Sequence, residues 1–111
     1  MIELEILKYL GECLDVPVFV EEPEEQPGEY VLVEKTAGGK KNHICTATLA
    51  IQSYAESMVG AMELNEKVKT AMDNAGILTV IGKSELNSDY NFTDTETNRY
   101  RYQAVYNLVH Y

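Results

Sequence analysis

The sequence predicts an α+β domain: a mainly antiparallel or mixed five-stranded sheet with two helices on one face, in the order α-β-β-β-α-β-β. Three observations carry this reading. Apolar residues recur at helical spacing in two separate stretches, residues 2–14 and 54–75. Period-two alternation marks residues 43–52 and 99–111. Strand-like runs follow one another without an intervening helix between residues 18 and 52, which favours hairpins over parallel crossovers.

The first helix is expected from Ile2 to Leu14, with Ile2, Ile6, Tyr9, Leu10 and Cys13 inward and Glu3, Glu5, Lys8 and Glu12 outward. Gly11 weakens its last turn, and Asp15 and Pro17 end it. Val18–Val20 reads as a short strand. The segment EEPEEQPG, Glu21 to Gly28, reads as a solvated loop without the Gly and Asn spacing of a calcium loop. Tyr30–Thr36 is the second strand, and Ala37–Asn42 a turn built on Gly38-Gly39. His43–Gln52 is the third strand, with Cys45, Ala47, Leu49 and Ile51 on its buried face.

Ser53 and Glu56 have capping-box spacing, so the second helix is expected from about Tyr54 to Ala75. Its apolar stripe is read as Ala55, Met58/Val59, Met62, Val68 and Met72, flanked by Ala61, Leu64 and Ala71, with Gly76 as a left-handed C-terminal residue. Ile77–Leu86 is a fourth strand bent near Gly82. Asn87–Asn98 reads as a polar loop anchored by Tyr90 and Phe92. Arg99–Tyr111 is the fifth strand, with Tyr100, Tyr102, Ala104, Tyr106 and Leu108 on one face.

The totals fit one domain spanning residues 1–111. No apolar run approaches the roughly 20 residues of a membrane span. Glu3 and Glu5 stand where a secretion signal carries positive charge. Cys13 and Cys45 match no metal or redox spacing and are expected as buried reduced thiols in a reducing cytoplasm. Nine Lys and Arg stand against eighteen Asp and Glu, a net charge of −9. That balance argues against nucleic-acid binding through released counterions.

Candidates for chemistry are sparse. His43 and His110 lack partners at ligand spacing, so no metal and no cofactor is expected. Asp94 and Glu96 are the least unsuitable carboxylate pair, and turn chemistry explains them equally well. Gly38-Gly39-Lys40 lacks the upstream Gly and the following Ser or Thr of a phosphate loop, and reads as a hairpin tip. Five of eight tyrosines follow residue 89, a placement that suits either core packing or a protein interface.

The order of these segments resembles the tail terminator and tail completion proteins of long-tailed bacteriophages. The matching pieces are Pro23 and Pro27 before Tyr30-Val31-Leu32-Val33-Glu34, then Thr36-Ala37-Gly38-Gly39. They continue with Ala50-Ile51-Gln52-Ser53-Tyr54-Ala55-Glu56-Ser57 and Arg99-Tyr100-Arg101-Tyr102-Gln103-Ala104. One departure is the loop before the last strand: the family often has a Pro-Asp pair there, where this chain has Phe92-Thr93-Asp94. The resemblance implies a non-enzymatic virion protein of a phage or prophage that forms a hexameric ring. The ring caps the tail tube, stops its growth and joins it to the head-completion connector. The implied partners are other copies of the chain, the major tail tube protein and the connector. Genomic DNA passes through without specific binding, no membrane is involved, and the location is the virion after assembly in the bacterial cytoplasm. The residues assigned to subunit contacts are Gly38, Gly39, Lys40, Lys41, Arg99, Arg101, Tyr102 and Tyr106. Those assigned to the lumen are Glu24, Glu25, Asp94 and Glu96. A small acidic cytoplasmic binding module or inhibitor, monomeric or dimeric, is the alternative, and an enzyme using a cysteine or the Asp94/Glu96 loop is the weaker one.

Overall fold

In the computed structural model, which describes residues 1–94 and 99–111, the chain forms two helices against one five-stranded mixed sheet. The elements are α1 (Ile2–Cys13), β1 (Val18–Phe19), β2 (Tyr30–Lys41), β3 (Ile44–Ala55), α2 (Met58–Asp73), a 3-10 turn (Ala75–Ile77), β4 (Ile81–Asn91) and β5 (Tyr100–His110). The sheet order is β1-β2-β3-β5-β4; only the β1–β2 pair is parallel.

Both helices pack on one face. Ile2, Ile6, Tyr9 and Leu10 of α1 and Leu64, Val68, Ala71 and Met72 of α2 meet Val31, Val33, Leu49, Ile51, Ala104, Tyr106 and Leu108 from three central strands. Period-two alternation groups these residues on each strand and gave the core side of β3 correctly at Ala47, Leu49 and Ile51; on β5 it grouped Ala104, Tyr106 and Leu108 without telling which face is buried. The opposite face, here the far face, carries a second small cluster of Tyr30, Leu32 and Tyr54 with Phe19 against it.

Several boundaries differ from the sequence expectation. The strand β2 runs straight through Gly38 and Gly39, which pair with Ala47 and Thr46 and have negative φ. The hairpin tip is instead Asn42-His43, with φ of 52° and 66° between the paired Lys41 and Ile44. Two consecutive left-handed residues are what a two-residue hairpin turn of matching twist requires, and Asn and His tolerate that region better than most. The helix α2 begins later than expected, because β3 continues to Ala55. Its cap is Ser57, whose side chain accepts from Gly60 N at 3.0 Å. Ser53 lies in the strand, fully buried, with no partner for Oγ.

The buried stripe of α2 is Ala61, Leu64, Asn65, Val68, Ala71 and Met72, rotated from the one expected. Val59 and Met62 face solvent at 63% and 45% exposure. Gly76 is not left-handed; α2 ends at Asp73, is capped by Asn74 and turns through the 3-10 segment. Residues 77–80 precede the fourth strand, and β4 extends instead through Tyr90 into the expected loop. Gly82 does mark an irregularity, since the pairing register shifts between Ile81 and Lys83.

Candidate functional site

The densest array of polar and aromatic side chains lies on the far face, at the end of the sheet where β1, β2, β3 and β5 meet. Strand pairing assembles it. Tyr30 lies opposite Tyr54, Tyr54 opposite Arg101, and Gln52 opposite Gln103, which in turn lies opposite Tyr90. The rings of Tyr30 and Tyr54 stack at 4.4 Å and 6°. Arg99 sits over both rings, 5.5 and 5.6 Å from their centroids, and Arg101 lies 4.3 Å from the centroid of Phe92. Such cation–ring contacts contribute about 0.5–1 kcal/mol each at partly exposed sites.

A hydrogen-bond relay crosses the strands beneath this stack. Arg101 Nη1 donates to Tyr54 Oη and Tyr54 Oη donates to Gln52 Oε1, both at 2.9 Å. Gln52 Nε2 donates to Gln103 Oε1 at 2.9 Å, and Gln103 Nε2 to the Tyr90 hydroxyl. Gln52 and Gln103 are both buried, and an unpaired amide there would be costly. The relay therefore fixes the lateral register of three strands.

The acidic loop closes one side of the array. Tyr30 donates to Glu22, Gln26 Nε2 donates to Glu22 Oε1 at 2.8 Å, and Arg99 donates to Gln26. Burial, reinforced by the Glu22 carboxylate, raises the Tyr30 hydroxyl well above the ordinary tyrosine range. Between these groups lies an open cleft of about 380 Å³ lined by Glu22, Gln26, Tyr54, Asp94, Arg99 and Arg101. Two guanidinium groups beside two carboxylates make it suited to charged and planar polar groups of another protein.

The residues singled out in the sequence scatter over the molecule. Arg99, Arg101 and Asp94 come together in this cleft. Glu24 and Glu25 are exposed on the loop beside it. Glu96 lies outside the described residues. Gly38 and Gly39 belong to the exposed half of β2, and Lys40 and Lys41 are exposed beside the turn. Tyr102 is half-buried on the helix side, in a separate groove under α2. Tyr106 is fully buried and is a core residue; its hydroxyl donates to Asp73 Oδ1 at 3.0 Å and to the Lys69 carbonyl at 3.2 Å. It presents no surface to another molecule. Cys13 is exposed and Cys45 half-buried, so the expectation of two buried thiols fails; both are free thiols. His43 is a turn residue and His110 ends β5.

The sequence reading missed Glu22, Gln26, Gln52, Tyr54 and Gln103. A usable signal was present: alternation from Leu49 puts Gln52 and Tyr54 on the face opposite the core, and alternation from Ala104 does the same for Arg101 and Gln103. A larger concavity of about 590 Å³ lies between α1 and α2, with Tyr9, Cys13, Leu14 and Thr70 on its walls. Among the described residues no group of three or more His, Cys, Asp or Glu is placed to hold a metal ion. No helix among them is long and apolar enough to cross a membrane. No model of a known protein family matches the chain, and no curated protein matches it in sequence.

Proposed function

We propose that the chain is a structural virion protein of a bacteriophage or prophage. Its copies form a ring that caps the tail tube, ends tail growth and joins the tail to the head-completion connector. The observation that carries this reading is the pair of open sheet edges. The short strand β1 covers β2 only at Val31 and Leu32, so among the described residues β2 has β3 on one side and no strand on its outer side from Val33 to Lys41. On the other side β4 has no outer neighbour. The two edges differ in sequence and lie on opposite sides of one sheet. Contact between unlike surfaces is the head-to-tail type that closes into rings, and an open edge supplies main-chain donors and acceptors for it.

The bulges support the same reading. The pairing register slips at Thr36 in β2 and at Gly82 and Asn87 in β4, and nowhere else among the strand pairs. Every slip thus lies in a stretch with no strand on its outer side, in the far half of β2 or in β4. Bulges at edges twist the strand and restrict which partner can add to it. Charge also fits the proposed role. A ring of chains at net charge −9 would repel DNA phosphates, and Glu24, Glu25 and Asp94 are the described acids we place toward the bore. The tube protein, the connector and passing DNA are then the partners, in the virion and in the bacterial cytoplasm during assembly.

The test is direct. Purified chain is added to a polymerising phage tail tube protein, and products are imaged by negative-stain electron microscopy. Rings at tube ends and arrested elongation are expected. Tubes that elongate unchanged, with the chain remaining a free monomer or dimer, would reject the proposal.

A further inference from the structure

The groove around Tyr102 holds the feature that the fold leaves unexplained. It lies where the first turns of α2 cross β4 and β5, and Val59, Met62, Glu63, Asn65, Glu66, Asp89 and Tyr102 line its volume of about 260 Å³. Pockets for drug-sized ligands run from about 300 to 1,000 Å³, so this one fits a single long side chain. Asn65, 1% exposed, is part of its lining. Asn65 Nδ2 donates to Asp89 Oδ2 at 3.1 Å, while Asn65 Oδ1 has no hydrogen-bond partner. A buried acceptor without a donor costs about 1–3 kcal/mol.

The polar groups here are mostly acceptors. Lys69 stands next to the groove, held by Asp89 and Glu66 at 2.9 Å each, and among the described residues Glu63 makes no ion pair. Val59 and Met62 add exposed apolar surface at the rim. An ammonium on an aliphatic stem matches this combination. Its methylenes cover Val59 and Met62, and its charge meets the Glu63 and Glu66 carboxylates that line the groove.

We propose that this groove receives a lysine of the β2–β3 arm, Lys40 or Lys41, from a second copy of the chain. The arm supplies the complementary charge: both lysines are exposed, adjacent, and next to a tight turn that keeps the tip narrow. Within one chain the two features are far apart. Lys41 pairs with Ile44 at the arm tip, whereas Tyr102 pairs with Ser53 near the other end of the sheet, in a molecule 44 Å long. The contact is therefore between molecules, and it repeats head to tail. It rests on the ring reading for its second copy, and names one pair of surfaces within that ring.

A charge exchange tests it. Self-association is followed by light scattering and sedimentation for the native chain, for a K40E/K41E variant and for a V59K/E63K variant. All four substituted positions are exposed, and circular dichroism checks that each variant folds. The native chain is expected to associate. Each variant alone should weaken association about tenfold or more, a change of about 1.4 kcal/mol. An equimolar mixture of the two should recover it, because reversed charges again face each other. The Asn65 side-chain amide signals in a nitrogen-proton correlation spectrum should move on association of the native chain and stay fixed in K40E/K41E. Association unchanged in both variants, or a native chain that stays monomeric at millimolar concentration, overturns the contact. The tube-capping assay is separate: rings on tube ends that tolerate both variants would leave the ring standing and remove only this contact.

Discussion

Two serines four residues apart have opposite fates at the start of α2, and the difference is a matter of hydrogen bonding. Ser57 caps the helix, with Oγ accepting from Gly60 N, whereas Ser53 is buried in β3 with no partner for Oγ. The pattern Ser53-x-x-Glu56 looked like a capping box because spacing is all a sequence displays. What decided the matter was strand pairing: Ser53 and Ala55 are held by Val31 on β2 and by Tyr102 and Tyr100 on β5, so the backbone stays extended two residues past the apparent cap. Ser57→Ala should therefore lower stability by about 1 kcal/mol, seen as a lower urea midpoint at unchanged slope. Ser53→Ala should cause no loss, or a gain on the order of 1 kcal/mol, since it removes an unpaired buried hydroxyl. The reverse pattern would restore the earlier helix start. The far-face array failed to show itself for a related reason. Tyr30, Tyr54 and Arg101 are brought together only by the pairing of β2, β3 and β5, with Glu22 reaching Tyr30 from the loop, and no local spacing encodes that.

At the scale of elements, what could be read depended on how much burial each strand has. The strand β3 is central, and its alternation is clean enough that Ala47, Leu49 and Ile51 were placed correctly in the core, whereas β5, apolar on both faces, showed the grouping of Ala104 and Leu108 but not which side is buried. The strand β4 is an edge with two register slips, which break the alternation at Gly82 and Asn87 and leave a polar stretch resembling a loop. The arm was misread through its glycines. Gly38 and Gly39 are turn-formers by habit, yet here they extend a strand whose outer half is exposed. Their lack of positive φ makes a prediction. Gly39→Ala should change stability by no more than about 0.5 kcal/mol: the nearest atom to an added Cβ is Thr46 Oγ1 at 3.1 Å, a hydroxyl that can rotate. His43→Gly should instead raise stability by up to about 1 kcal/mol, because it relieves a left-handed side-chain residue at φ 66°. Thermal unfolding of the two variants distinguishes the two sites. A large loss from Gly39→Ala, with none of the gain from His43→Gly, would return the turn to the glycines.

The molecule as a whole keeps several tyrosine hydroxyls out of water, and this gives its stability a defined response to alkali. Burial raises Tyr30 and Tyr106 far above the ordinary range, with the Glu22 and Asp73 carboxylates adding to it. Burial also raises Tyr9, assisted by Cys13. Lys69 is raised by its hydrogen bonds to Asp89 and Glu66. In each case the folded state holds its proton more tightly than the unfolded chain does. The sign follows: these contributions are fully present below the unfolded pKa of about 10 and are lost as pH rises through the folded values. Each such group then steepens the decline by up to about 1.4 kcal/mol per pH unit. Tyr30 ties the acidic loop to the far face, and Tyr106 ties β5 to α2, so their ionisation releases both layers from the sheet. Ultraviolet titration of tyrosinate should show Tyr9, Tyr30 and Tyr106 ionising later than free tyrosine. Their ionisation should coincide with the loss of near-ultraviolet circular dichroism, and the urea midpoint should fall steeply only above about pH 10. Substituting Tyr30→Phe should remove one lagging tyrosine and shallow that fall, because the ring remains to stack on Tyr54 while the titrating hydroxyl is gone. Tyr9, Tyr30 and Tyr106 ionising reversibly near pH 10, with the fold intact, would contradict the burial of these hydroxyls and the two-faced packing that depends on it.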